Sequence, residues 1–183
     1  ICGKMIKEGD QSAPILKMLG AGYFSTKKYS KAIEVLEGME KNGMQNESIL
    51  YFIAMSYKEL KNYPKAIEYF NKTLEESISP NVANYFIQIG DSYEKINSFK
   101  KALNAYQKSL QFEAKPMSYY ALANIYDQQL KNKASAIKYY KKYLNASPAV
   151  ENNKAYIEYA TARITELSRA IDVPSGTTPS LRH

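Results

Sequence analysis

The chain has 183 residues with an ordinary 45% hydrophobic content, 17 tyrosines, no tryptophan and a formal charge of +7. A single cysteine, Cys2, excludes an internal disulfide framework and a Cys-based zinc site, and no apolar run approaches the length of a membrane span. The charge is uneven: residues 1–91 hold 11 basic and 11 acidic side chains, whereas 92–183 hold 14 and 7, with lysines such as Lys131, Lys133, Lys138, Lys141 and Lys142 read as solvated outer helix faces.

Residues 1–11 place Cys2, Met5, Ile6 and Asp10 at helical spacing and read as the end of a preceding helix. From Ser12, the residues Leu16, Leu19, Gly20 and Tyr23 recur every three or four positions and predict one helix. After a turn at Ser25 to Lys28, Tyr29, Ala32, Ile33, Leu36 and Met39 predict a second, closed by the turn signal Asn42-Gly43. The pattern returns as Leu50, Ile53, Ala54 and Tyr57, followed by Tyr63, Ala66, Ile67 and Phe70, with an exit at Ile78 to Asn81. Phe86, Ile89, Gly90 and Tyr93, then Phe99, Ala102, Leu103 and Tyr106, form a third pair that ends before Pro116. A fourth has Tyr119, Leu122, Ala123 and Tyr126, then Ala136, Ile137, Tyr140 and Leu144, closing at Ser147-Pro148. Its turn, Leu130 to Lys133, is less regular, because one extra residue stands between Tyr126 and Ala136. A last amphipathic face, Tyr156, Ile157, Ala160, Ile164 and Leu167, predicts a helix from Asn152 to Arg169 that covers the end of the array. The segments are therefore 1–11, four repeats at 12–46, 47–81, 82–115 and 116–149, a capping helix at 150–170, and a tail at 171–183 whose composition predicts disorder.

The Ala-Ile/Leu pairs at 32, 66, 102 and 136 are separated by 34, 36 and 34 residues, a period that marks stacked repeats. Gly20, Ala54, Gly90 and Ala123 hold one place in the first helix of each pair, and the alanines hold the matching place in the second. With almost no side chain there, two helices approach closely.

This period, with a small residue then Tyr in helix A and Ala-x-x-x-Leu/aromatic in helix B, resembles the tetratricopeptide repeat over residues 12–148. Departures are Leu16, Leu50, Phe86 and Tyr119 near the start of helix A, and the bulkier Met39, Thr73, Ser109 and Tyr143 late in helix B. The resemblance implies an all-α fold, a right-handed superhelical solenoid of antiparallel helix pairs with a capping helix. It also implies a concave groove formed by the A helices. Carried onto this chain, the groove takes Lys17, Ala21 and Phe24; Tyr51, Met55 and Lys58; Asn84, Ile87, Asp91 and Glu94; and Met117, Tyr120, Asn124 and Asp127. Lys17 alone fits the family's carboxylate clamp; Ala21, Phe52, Asn84 and Gln88 do not, which argues against a chaperone-tail receptor.

No catalytic constellation, phosphate loop, metal-ligand spacing or cofactor motif is present, and the only histidine, His183, is the last residue. These features predict a non-enzymatic scaffold that binds a peptide or protein in the groove, with pairing through exposed repeat faces a further option. Two alternatives stand beside it. One is a docking or sensory segment of a larger protein, suggested by the repeat cut at Ile1; the other is RNA binding through the basic half, against which Asp91, Glu94 and Asp127 count. The Lys-, Asn-, Ile- and Tyr-rich composition points to an AT-rich genome, and the compact repeats to a bacterial source. The compartment stays open between the cytoplasm and an exported site whose signal has been removed.

Overall fold

A computed structural model describes residues 12–77, 80–146 and 153–172. The residues read as a preceding helix end, the Ile78-Ser79 exit, the Ser147-Pro148 break and the tail beyond Asp172 lie outside this set. All regular structure within it is helical: α1 (Ala13–Ser25), α2 (Tyr29–Lys41), α3 (Glu47–Glu59), α4 (Tyr63–Glu76), α5 (Val82–Lys95), α6 (Phe99–Phe112), α7 (Pro116–Asn124), α8 (Lys133–Ala146) and α9 (Lys154–Asp172). Helix α7 runs on into a π-helical turn, Ile125–Gln129. Helix α9 reaches Asp172, two residues into the segment expected to be tail.

Within each unit successive helices pack as antiparallel neighbours, because short connections such as 26–28 and 60–62 allow no other arrangement. The chain divides into two compact units, one holding α1–α6 up to Phe112 and one holding α7–α9 from Glu113. Unit 1 is built on Leu36, Ile53, Ala54, Ala66, Phe70 and Ile89; unit 2 on Ala123, Ala136, Tyr140, Tyr143, Ala160 and Leu167. Ala32, Ala66, Ala102 and Ala136 are fully buried. A Cβ on Gly90 would lie 2.8 Å from Cε1 of Tyr106, and one on Gly20 would collide with Leu36, so the small-residue positions are set by contact distance.

Local chemistry starts the helices. Asn46 accepts the amides of Ser48 and Ile49 at 3.1 and 3.2 Å, Asn62 that of Lys65 at 3.3 Å, and Asn132 that of Ser135 at 3.0 Å. Pro14, Pro64 and Pro116 sit in the first turn of α1, α4 and α7, where a missing N–H costs nothing. Pro116 thus opens a helix rather than merely following one.

The A-helix ends share one turn. Lys27, Lys61 and Asn97 have φ of 58°, 60° and 57°, and the amides of Lys28, Asn62 and Ser98 return to the carbonyls of Tyr23, Tyr57 and Tyr93 at 2.8–2.9 Å. In α7 the left-handed residue is Lys131 (φ 52°), and the Tyr126 carbonyl is closed by Asn132, one residue later, at 2.8 Å. The extra residue of the fourth repeat is absorbed inside the helix as the π-helical turn, so the turn itself is conserved in shape.

Candidate functional site

In unit 1 the A helices α1, α3 and α5 carry Lys17, Tyr51 and Ile87 at one register, and Ala21, Met55 and Asp91 one turn later. All six side chains are half-buried. Asn84 is half-buried as well. Lys58 bridges α3 to α5: its ammonium donates to Gln88 Oε1 at 2.6 Å and forms an ion pair with Asp91. Tyr51 packs against Tyr85 of α5 at 5.6 Å between ring centroids and against Phe70 at 6.3 Å, and burial pushes its hydroxyl pKa up. Phe24 meets Phe52 and Tyr29 at 5.4 and 5.6 Å. The surface is therefore braced by some of the groups expected to line it, while Lys17, Met55, Asn84 and Ile87 remain partly open.

Glu94 does not project freely. Its Oε1 accepts the Tyr106 hydroxyl at 2.5 Å, and burial, with the nearby charge of Asp91, raises its pKa above the ordinary carboxylate range despite that bond.

In unit 2, Met117 stays exposed at the start of α7. Tyr120 lies inside an aromatic cluster, with ring centroids 5.0 Å from Tyr156 and 5.1 Å from Tyr143. Asn124 Oδ1 and Asp127 Oδ2 share the Tyr140 hydroxyl at 2.7 and 3.2 Å. Asp127 is 5% exposed and held by both arms of Arg163 from α9, at 2.8 Å (Nε to Oδ2) and 2.7 Å (Nη2 to Oδ1). Burial pushes its carboxyl up, but the bonds and charge of Arg163 together with the Tyr140 hydroxyl outweigh that and hold it below the ordinary value. Of the three acids weighed against RNA, Asp91 is paired, Glu94 bonded and Asp127 buried. The repulsion they offer to phosphates is smaller than the bare sequence suggests.

One internal rule escaped the reading of the sequence. The residue after the A-helix tyrosine is Glu94 or Asp127 where helix B carries Tyr106 or Tyr140 four residues past its alanine, and Phe24 or Lys58 where it carries Leu36 or Phe70. Acid and tyrosine appear together because a buried phenol needs an acceptor. A second missed group is Glu37, whose Oε1 accepts from Tyr57 at 2.7 Å and from Tyr69 at 3.1 Å, tying α2 to α3 and α4. Burial, then the bond to Glu37, pushes the Tyr57 hydroxyl up to about 12.

Among the described residues no three His, Cys, Asp or Glu side chains converge on a metal position, and no helix is long and apolar enough to cross a membrane.

A family model for the tetratricopeptide repeat matches residues 46–112, a second model for that repeat matches 118–150, and one for anaphase-promoting complex, cyclosome, subunit 3 matches 1–73. No curated protein sequence matches the chain. Among solved structures, one described as "Crystal structure of MamA" is 20% identical, with a TM-score of 0.71 over 85% of this chain and 87% of that one. A structure described as "Crystal structure of MamA protein" gives 17% and 0.69 over 90% and 97%. The "MamA RS-1 ArsTM double mutant" gives 19% and 0.67 over 89% and 98%. At these identities the likeness concerns the fold alone.

Proposed function

Because this chain belongs to the tetratricopeptide-repeat family, whose members are scaffolds for contact with other proteins, we propose that it is a non-enzymatic adaptor holding a peptide or protein segment against the A helices of unit 1. The observation that carries this reading is the two-register strip of half-buried side chains, Lys17, Tyr51 and Ile87 above Ala21, Met55 and Asp91. Such a strip offers apolar area at modest desolvation cost, with polar neighbours to set direction. The Lys58–Asp91 bridge and the packing of Tyr51 stiffen the strip, so that little conformational freedom must be lost on binding.

The test changes two half-buried apolar side chains of the strip, Met55 and Ile87. Affinity capture from the source extract compares the wild-type chain with Met55→Glu/Ile87→Glu, whose folding is checked by circular dichroism. Partners retained by wild type and lost by the variant support the A-helix strip. Equal retention by both sinks it.

A further inference from the structure

Helices α4, α5 and α6 line a groove of about 360 Å³ that shares no residue with the A-helix strip. Its rim carries Lys100, Lys101 and Lys108 with the amides of Asn71 and Asn104, and its floor is apolar. We propose that this groove is a second docking site, one that receives a short acidic peptide segment of a partner protein.

The repeat before it shows what is unusual. Lys72 lies six residues past Ala66, as Lys108 lies six past Ala102. Lys72 is neutralised, its ammonium 2.8 Å from Glu40 Oε1 and 3.7 Å from Glu68 Oε1. At the registers of those two acids, Lys108 finds Leu74 and Asn104. Neither counter-charge stands beside Lys108, while Lys101 keeps the register of Lys65 and Lys100 stands at that of Pro64. Among the described residues none of these three ammonium groups has a carboxylate within ion-pair distance. Like charges gathered on one concave rim repel, so the groove is complementary to a ligand that brings carboxylates.

The same geometry favours an acidic peptide over a nucleic acid. Single strands bind by stacking bases on open aromatic faces. Here Lys101 covers Tyr93, with its ammonium 5.6 Å from the ring centroid, and Lys108 covers Phe86 at 5.5 Å. Phe86 is further stacked on Phe112 at 5.7 Å. No arginine lines the groove. Ile89 and Ala105 in the floor suit a single apolar side chain between flanking carboxylates.

The probe is a fluorescein-labelled heptapeptide with one leucine between two runs of three glutamates, titrated against the full chain by fluorescence anisotropy at low and physiological salt. Lys100→Glu/Lys101→Glu/Lys108→Glu is expected to weaken binding by at least about tenfold, because each pair lost adds to the next. Lys27→Glu/Lys28→Glu/Lys41→Glu, with the same change in net charge on exposed positions, is expected to weaken it by less than about twofold. The corresponding glutamine triple at 100, 101 and 108 gives an intermediate loss and serves if charge reversal disturbs folding. Met55→Glu/Ile87→Glu leaves the affinity unchanged, which separates this groove from the A-helix strip. The proposal is overturned by no binding to wild type, by equal losses in the groove and control triples, or by loss in the A-helix variant. Tighter binding of a single-stranded oligothymidine through the same three lysines also overturns it, in favour of nucleic acid.

Discussion

Units 1 and 2 solve the same packing problem with different chemistry. In both, a small residue of helix A receives a bulky residue of helix B: Gly90 receives Tyr106 in unit 1, and Ala123 lies opposite Tyr140 in unit 2. Both tyrosines place their hydroxyl on an acid next to the A-helix tyrosine. Unit 1 leaves that acid, Glu94, in a regular helix with a raised pKa. Unit 2 sets Asp127 inside a π-helical turn and clamps it with Arg163 of α9. The repeat framework tolerates an inserted residue when the helix widens locally, and a buried charge when another helix of the unit supplies the opposite one.

The largest expected effect breaks the clamp in unit 2. Arg163→Met should destabilise that unit by about 3 kcal/mol, since it leaves a buried carboxylate with only the Tyr140 hydroxyl and the Gln128 side chain and no opposite charge. Chemical denaturation of wild type and variant measures the difference. The folded-state pKa of Asp127 is depressed, so the stability it contributes is present above the unfolded value of about 3.9 and is lost as pH falls through the lower folded value. The gap between wild type and variant should therefore be constant near neutrality and close in acid. A gap that widens in acid would contradict the assignment.

Next in size is the contact in unit 1. Gly90→Ala drives a methyl into the Tyr106 ring, which cannot retreat because Glu94 holds its hydroxyl. Overpacking of about 1–3 kcal/mol exceeds the roughly 1 kcal/mol gained in helix propensity, giving a net loss. Ala123→Gly in unit 2 should cost about 1 kcal/mol through propensity. Melting curves that show Gly90→Ala to be stabilising would mean that the ring has room to move.

A smaller effect concerns Tyr143, which is fully buried with a hydroxyl that has no partner among the described residues. Tyr143→Phe should be neutral or stabilising by up to about 1 kcal/mol, because an unsatisfied buried hydroxyl is removed without changing the shape. A clear loss of stability would point to an acceptor for that group. The smallest effect sharpens the difference in α7. Deleting Gln129 should restore α-helical spacing up to Lys131 and change stability by less than about 1 kcal/mol, since Glu94 meets Tyr106 from an ordinary helix. NMR shifts of Tyr140 and Arg163 that keep their wild-type values would bear this out; unfolding of unit 2 would show that the π-helical turn positions Asp127.

Much of the fold was legible because close helix packing demands small residues at fixed intervals. Ala32, Ala66, Ala102 and Ala136 stand out in any self-comparison, and all four are fully buried. The extra residue before Ala136 was countable too, although the count could not say whether loop or helix would absorb it. The groove was less legible. Carrying family positions across marked Glu94, Asn124 and Asp127 as surface groups, whereas the chain folds them against the hydroxyls of Tyr106 and Tyr140. Residues next to the A-helix tyrosine sit where a small rotation about the helix axis separates solvent from core, and a helical period resolves no finer angle.

By itself the amino-acid sequence determined the helices, their pairing and their register, since each depends on periodicity and turn chemistry within some forty residues. The tertiary structure decided which charges are neutralised. Lys58 finds Asp91, Lys72 finds Glu40 and Asp127 finds Arg163, while Lys100, Lys101 and Lys108 find no acid among the described residues. The three pairs join residues more than thirty positions apart in sequence, and Coulomb energy depends on distance and burial, which only the packed helices set.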